Sequence, residues 1–163
     1  MKTVDISHEQ LLQLLSYDPE TGLFIWLKRV GRYHAGSIAG TNPKDGRINL
    51  CINYKLVRAH RVAWFYIYGA WPKGEIDHID GDPTNNRIAN LRDVSHAQNM
   101  QNRRVPRKGS RTGLMGVKPH RGGFSARIMV SGVVHHLGSF KTTAEAHQAY
   151  LNAKRERHPF GTI

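Results

Sequence analysis

The chain has 163 residues, with 24 Lys and Arg against 12 Asp and Glu, one Cys, and a net charge of +12. That length holds one ordinary domain or two or three small modules. Such an excess of cations points to a polyanionic partner. No apolar run of about eighteen residues exists to span a bilayer, and a lone Cys51 excludes an intrachain disulfide and a Cys-based zinc knuckle. The opening MKTVDISHEQ lacks the apolar core of a signal peptide. A reducing cytoplasm is the expected location, with no membrane association. The charge is uneven: residues 1–60 hold 8 Lys/Arg and 5 Asp/Glu, residues 61–100 hold 4 and 5, and residues 101–163 hold 12 and 2. That split suggests one part that performs chemistry on the polyanion and another that holds it.

In chain order, Ser7 and Gln10 form a capping-box pattern. Leu11, Leu12, Leu14 and Leu15 then give a short helix its apolar face. YDPETG is a turn cluster. LFIWLKR, residues 23–29, reads as a strand with Phe24 and Trp26 on one face and Leu23, Ile25 and Leu27 on the other. Trp26 is expected in the core, with base stacking as the alternative. Residues 30–47 are Gly-rich and basic, with Arg32, His34 and Lys44, and read as loop with one short strand at 37–39. RINLCINYKLVRA, 47–59, reads as a hairpin turning near Asn53, in which Cys51 is expected to be a small buried hydrophobe. Arg47, Lys55 and Arg58 would line its other side, toward solvent or DNA. Residues 60–72 read as a helix stopped by Gly69 and Pro72. His60-Arg61 at its start is expected to be structural or to touch phosphate, with a second metal-binding histidine as the sharper alternative.

The densest polar stretch is EIDHIDGDPTNNRIANLRDVSHAQNMQNR, residues 75–103. A short strand, EIDHI, leads into a loop of turn formers, a second strand follows near 91–94, and Ser95 can cap a helix carrying Asn99. Asp77 offers a hard carboxylate oxygen and Asn99 an amide oxygen, which with water and a phosphate suit one Mg²⁺ or Mn²⁺. His78 points to the opposite strand face from Asp77, which suits a base acting on water. A calcium-like loop or a solvated Asp/Asn turn is the plainer alternative.

These residues resemble the ββα-metal motif of HNH endonucleases. Asp77-His78 is similar to that family's ligand-and-base pair. Asn90, in NRIANL, is similar to the middle Asn, which implies a structural role tying loop to strand. Asn99 is similar to the last position of the signature. YDPETGLFIW also resembles the opening of phage-type HNH proteins, which implies a phage or mobile element as source and the bacterial host cytoplasm as location.

NRRVPRKGSRTG, residues 102–113, reads as a basic linker whose Arg103, Arg104, Arg107, Lys108 and Arg111 track phosphates. Beyond it come three short strands with Gly-containing turns. A helix then begins at Thr142, with Glu145 completing a capping box and Ala146, Ala149, Tyr150 and Ala153 as a narrow apolar face. Gly116-Val117, Ala126-Arg127-Ile128, Leu137-Gly138-Ser139-Phe140, Glu145-Ala146 and Ala149-Tyr150 resemble the AP2 DNA-binding domain. That resemblance implies a sheet that enters the major groove, with Lys118, Arg121, Arg127 and His135 facing DNA. Phe124 stands where plant members of that family usually have Trp.

The expected fold is α+β. Residues 1–74 would be a β-rich extension packed on the nuclease core, 75–103 the ββα-metal motif, 104–112 the linker, and 113–163 the AP2-like domain. Together the resemblances imply a site-specific, metal-dependent DNA endonuclease of the homing HNH type, leaving 5′ phosphate and 3′ hydroxyl ends. Double-stranded DNA is the implied partner, and no protein partner is implied. The alternative is a non-enzymatic AP2-type DNA-binding regulator with an inert HNH module.

Overall fold

The computed structural model describes residues 4–42 and 46–161; Lys44 of the expected basic loop lies outside them. The chain is mixed α+β and divides into two compact units, Met1–Val94 and Ser95–Ile163.

The first unit opens with α1 (His8–Leu14), capped as its sequence predicts. Ser7 Oγ accepts from the Gln10 N–H while Gln10 reaches back to the Ser7 N–H. The helix ends one residue earlier than its leucine pattern suggests. Leu15 turns extended and starts β1 (Leu15–Tyr17), which pairs antiparallel with β2 (Phe24–Trp26), and β3 (Ile38–Ala39) follows β2 in the sheet. The predicted strand over 23–29 is therefore shorter, but its faces are as the alternation requires. Phe24 and Trp26 are buried, and Leu23, Ile25 and Leu27 are exposed.

A second hairpin, β4 (Asn49–Ile52) and β5 (Lys55–Arg58), turns through Asn53 and Tyr54 at φ 48° and 60°. Positive φ at both central residues matches the right-handed twist of a two-residue hairpin. Leu50 and Ile52 are buried, so period two sends Cys51 to the other face, where it is exposed. The expectation of a buried Cys51 fails for that reason. Helix α2 (Ala59–Tyr68) follows and ends at Gly69, whose φ of 68° is the left-handed cap that its sequence foretells. Leu11, Trp26, Leu50, Val62, Ala63 and Phe65 belong to one apolar core that also takes in Ile76 and Leu91. Through those last two, it holds β6 (Glu75–His78) and β7 (Leu91–Val94), an antiparallel pair separated by a polar loop and a 3₁₀ turn over Ile88–Asn90.

The second unit begins with α3 (His96–Gln101), capped by a Ser95–Gln98 box. The boundary between units thus falls inside the 75–103 stretch, ahead of the expected 104–112 linker. Hydrogen bonds explain this: Lys154 Nζ donates to the Arg103 carbonyl at 2.9 Å, and the Phe160 N–H donates to Gln101 Oε1 at 3.3 Å. They tie the segment after α3 to the C-terminal helix. The sheet β8 (Val117–His120), β9 (Gly123–Val130), β10 (Val133–Phe140) is antiparallel throughout, with β9 central. Helix α4 (Thr143–Arg157) carries the Thr142–Glu145 capping box. It buries Ala146, Tyr150 and Ala153 against Val117, Ala126 and Ile128. Gly116 lies so close under the Tyr150 ring that any Cβ there would overlap it.

Candidate active site

Strand β6 delivers two ionisable residues to its end, and the register decides what each meets. Asp77 lies opposite Arg92 on β7, and His78 lies opposite Leu91. The two side chains therefore leave opposite faces of the strand, as period two demands. Both are buried, at 6% and 8% exposure, so their partners control their chemistry.

Asp77 Oδ2 accepts from Arg92 Nη2 at 2.7 Å and from Arg92 Nε at 2.9 Å. This charge-assisted pair compensates a carboxylate that would otherwise be costly to desolvate. Arg92 was not singled out in the sequence. The cross-strand pairing rule could have found it once the register was known.

His78 is held by the loop that follows it. Asn86 Nδ2 donates to the Thr84 carbonyl at 3.3 Å, which turns Asn86 Oδ1 toward His78 Nε2, 3.2 Å away. An amide oxygen only accepts, so Nε2 carries the proton and the lone pair of the neutral ring resides on Nδ1. Burial pushes the His78 pKa below the usual histidine value, and the Asn86 hydrogen bond only partly opposes it. A ring that is neutral near pH 7 with a defined tautomer can act as a base.

Asn86 in turn is fixed from the N-terminal hairpin. Its side chain is almost fully buried, and its backbone carbonyl accepts from the Tyr17 hydroxyl at 2.7 Å. Burial raises the Tyr17 pKa to about 12, so the phenol remains a donor. Gly22, at φ 74°, lies against the same segment. A Cβ there would come within 2.6 Å of the Asn86 carbonyl carbon and the Arg87 nitrogen. The DPETG turn thus presses on the residue that orients His78, which gives residues 1–74 a physical role beyond an extension.

His60, which the sequence marks as structural or phosphate-touching, lies in the first turn of α2. Its ring stands edge-on to His78, with centroids 5.1 Å apart and planes at 85°. Burial first, then the charge of His78 and nearby arginines, pushes its pKa down to about 3. It is a neutral aromatic wall for His78. Arg61 beside it has a framework role: Nη1 donates to the Gly74 carbonyl at 3.1 Å and Nη2 to the Pro72 carbonyl at 3.3 Å.

The loop between β6 and β7 is braced by Asn90. Its Oδ1 accepts from the Asp80 N–H at 3.0 Å, while its Nδ2 donates to Asp80 Oδ1 and to the Asn85 carbonyl, both at 2.9 Å. Asp80 Oδ2 also accepts from Asn85 Nδ2 at 2.6 Å. Burial alone would raise the Asp80 pKa. The hydrogen bonds from the Asp82 N–H and the Asn90 and Asn85 amides outweigh it and hold the carboxyl below its usual range. The loop acidic groups are occupied in shaping the loop.

Asn99 lies on α3, in the second unit, where its N–H donates to the Ser95 carbonyl at 3.0 Å. Among the described residues, no three His, Cys, Asp or Glu side chains gather as metal ligands. Asp77, in the first unit, offers a carboxylate oxygen, and Asn99, in the second, an amide oxygen; each is a donor type that a hard cation such as Mg²⁺ or Mn²⁺ accepts. Of the cationic positions, Arg104, Arg107, Lys108, Arg111, Lys118, Arg121 and Arg127 are all exposed, and Arg103 is half-buried with its Nε donating to the Val105 carbonyl. The register places His135 opposite the buried Ile128, on the helix-covered face. His136, not His135, stands beside Arg127.

Among the described residues, no helix is long and apolar enough to cross a membrane. No solved structure matches the chain. Protein 3.8 of Escherichia phage T7 is 42% identical over 65 residues, which is 39% of this chain and 53% of that protein, so the chain spans about half the length of that relative. A family model described as HNH endonuclease matches residues 57–101. That stretch contains His60, Asp77, His78, Asn86, Asn90, Arg92 and Asn99, so these residues lie within a segment similar to HNH endonucleases, while Tyr17 and Gly22 lie outside it.

Proposed function

We propose that the chain is a metal-dependent DNA endonuclease of the homing HNH type, whose second unit is an AP2-like reader that positions the duplex. The observation that carries this reading is the placement of His78: buried at the end of β6, with Nε2 3.2 Å from Asn86 Oδ1 and its pKa lowered by burial, inside a segment similar to HNH endonucleases. A base so prepared takes a proton from water as that water attacks phosphorus. The bond from phosphorus to the 3′ oxygen breaks, leaving a 5′ phosphate and a 3′ hydroxyl. Asp77 and Asn99 would hold one Mg²⁺ or Mn²⁺. When bound, such a cation supplies Lewis-acid stabilisation of charge on the phosphate and the leaving oxygen. Asn90 ties the loop after β6 to itself through its hydrogen bonds to Asp80 and Asn85. The exposed cations of residues 104–127, with the half-buried Arg103 beside them, supply the phosphate grip, and base-edge contacts supply specificity.

The second reading is a DNA-binding regulator with an inert nuclease module. One observation favours it: the Asp77 carboxylate is engaged by Arg92. A single assay separates the two. Supercoiled plasmid is incubated with the protein in Mg²⁺, in Mn²⁺ and in chelator, beside Asp77→Ala and Arg92→Gln variants. The nuclease reading expects nicked or linear product with either cation, none in chelator and none with Asp77→Ala, while Arg92→Gln lowers the cation concentration required. Binding without cleavage under every condition would establish the regulator.

A further inference from the structure

The outer face of the second unit's sheet carries two different rungs side by side. Helix α4 covers the face bearing Ala126 and Ile128. By period two, Arg127 and Met129 lie on the opposite face, and the register pairs them with His136 and Val134 across β10. Arg127–His136 is a polar rung. Met129–Val134 is an apolar rung, open to solvent at 57% and 54% exposure. Strand pairing does not require apolar groups there, since Thr, β-branched like Val, fits an exposed sheet face. The end of β9 is also held firmly: the Met129 carbonyl lies 2.8 Å from His158 Nε2, and the His158 side chain is buried. The apolar rung is therefore a fixed platform, with the exposed Arg127 one rung away on the same face and the exposed Lys118 opposite Ser125, one rung further along.

A partner for this face must be anionic and must also present small apolar spots. Residues 95–163 hold 12 Lys/Arg and 2 Asp/Glu, so charge complementarity selects duplex DNA, whose major groove offers one apolar feature, the thymine 5-methyl group. We propose that Met129 and Val134 contact thymine methyl groups in the major groove, beside a guanine contacted by Arg127. The inference rests on the reading of the second unit as the DNA-holding part. Neighbouring rungs on one face are about 7 Å apart at a strand rise of about 3.3 Å per residue. That is about two base steps at about 3.4 Å each along a strand. The thymine is therefore expected about two steps from the guanine.

The test uses the full chain in chelator, so that binding is read without cleavage. A duplex site is enriched from a randomised 20-base-pair pool and resynthesised with each thymine in turn replaced by uracil, which lacks the 5-methyl group. One or two positions are expected to lose about fourfold in affinity, which is the fold-change for about 0.8 kcal/mol per buried methyl-sized group. Met129→Gln and Val134→Ser, which remove the terminal apolar groups facing solvent, should bind the uracil and thymine forms equally at those positions. Arg127→Ala should relax preference at the guanine nearby. The proposal is overturned if no thymine matters, if the uracil penalty survives in both apolar variants, or if the enriched site contains no thymine. The underlying reading fails separately: replacing Lys118 and Arg127 by Gln would then leave affinity and salt dependence unchanged.

Discussion

The two units spend their residues differently. Residues 1–94 carry 12 Lys/Arg against 10 Asp/Glu, while residues 95–163 carry 12 against 2. The first unit gathers α1, α2 and its short strands on one apolar core and uses that core to bury ionisable groups, with Asp77, His78, His60 and Arg61 all under 9% exposure. The second has a smaller, alanine-rich core under long strands and keeps most of its arginines in solvent. Desolvation makes a base and an ion pair respond to their neighbours. Solvent exposure leaves cations free to reach phosphates, where each displaces counterions. On the proposed reading, a base needs burial and a phosphate grip needs exposure, and the two units differ in that respect.

The strongest way to break this comparison is His78→Ala. Cleavage should fall about 10²–10⁴-fold while affinity for duplex DNA, measured in chelator, stays unchanged. A rate within tenfold of the parent, or a parallel loss of affinity, would remove His78 from the chemical role and blur the division between units. Next comes replacement of Arg104, Arg107, Lys108 and Arg111 by Gln. The slope of log affinity against log salt should become shallower by about 0.9 for each phosphate that is no longer neutralised, with the single-turnover rate at saturating protein retained. A salt slope equal to the parent's would mean that this segment holds no phosphate.

Asn86→Ala sharpens the account of the first unit. It removes the acceptor that fixes the His78 tautomer but leaves the Asn86 carbonyl in place for Tyr17. The rate should drop about 10–100-fold, the range seen when an orienting partner is removed, with DNA affinity intact. A full-rate variant would show that the ring needs no outside orientation.

The smallest effect concerns acid stability. His60 has its pKa depressed to about 3 by burial, below an unfolded value of about 6.5. A depressed folded value means that its contribution is present above about pH 6.5 and is lost progressively as pH falls toward 3. His60→Phe keeps an aromatic ring against His78 and removes the titration. Its melting temperature should decline less than the parent's between pH 7 and pH 4, by about 10 °C. Identical acid limbs would place the acid sensitivity elsewhere.

Much of the local structure could be read without coordinates because its causes are local. The Ser7, Ser95 and Thr142 caps each need only a hydroxyl and a side chain three residues on, and all three capping boxes formed. Gly69 ended α2 because a left-handed residue is cheapest as glycine. The opposite-face placement of Asp77 and His78 followed from the strand period alone. Cys51 was misplaced by composition, since a small apolar residue follows its strand's parity before its own preference.

The sequence by itself determined which residues cap, turn, alternate and titrate, because those properties are set within a few bonds of each residue. Only the tertiary structure decided their partners. Arg92 meets Asp77 through the β6–β7 register, 15 residues away in the chain. Asn86 meets His78 because a hairpin closing at Gly22 and Tyr17 holds it there. His60 meets His78 because one apolar core carries both α2 and β6. Such pairings depend on loop closure and core packing summed over the whole unit, and no window of neighbouring residues contains that sum.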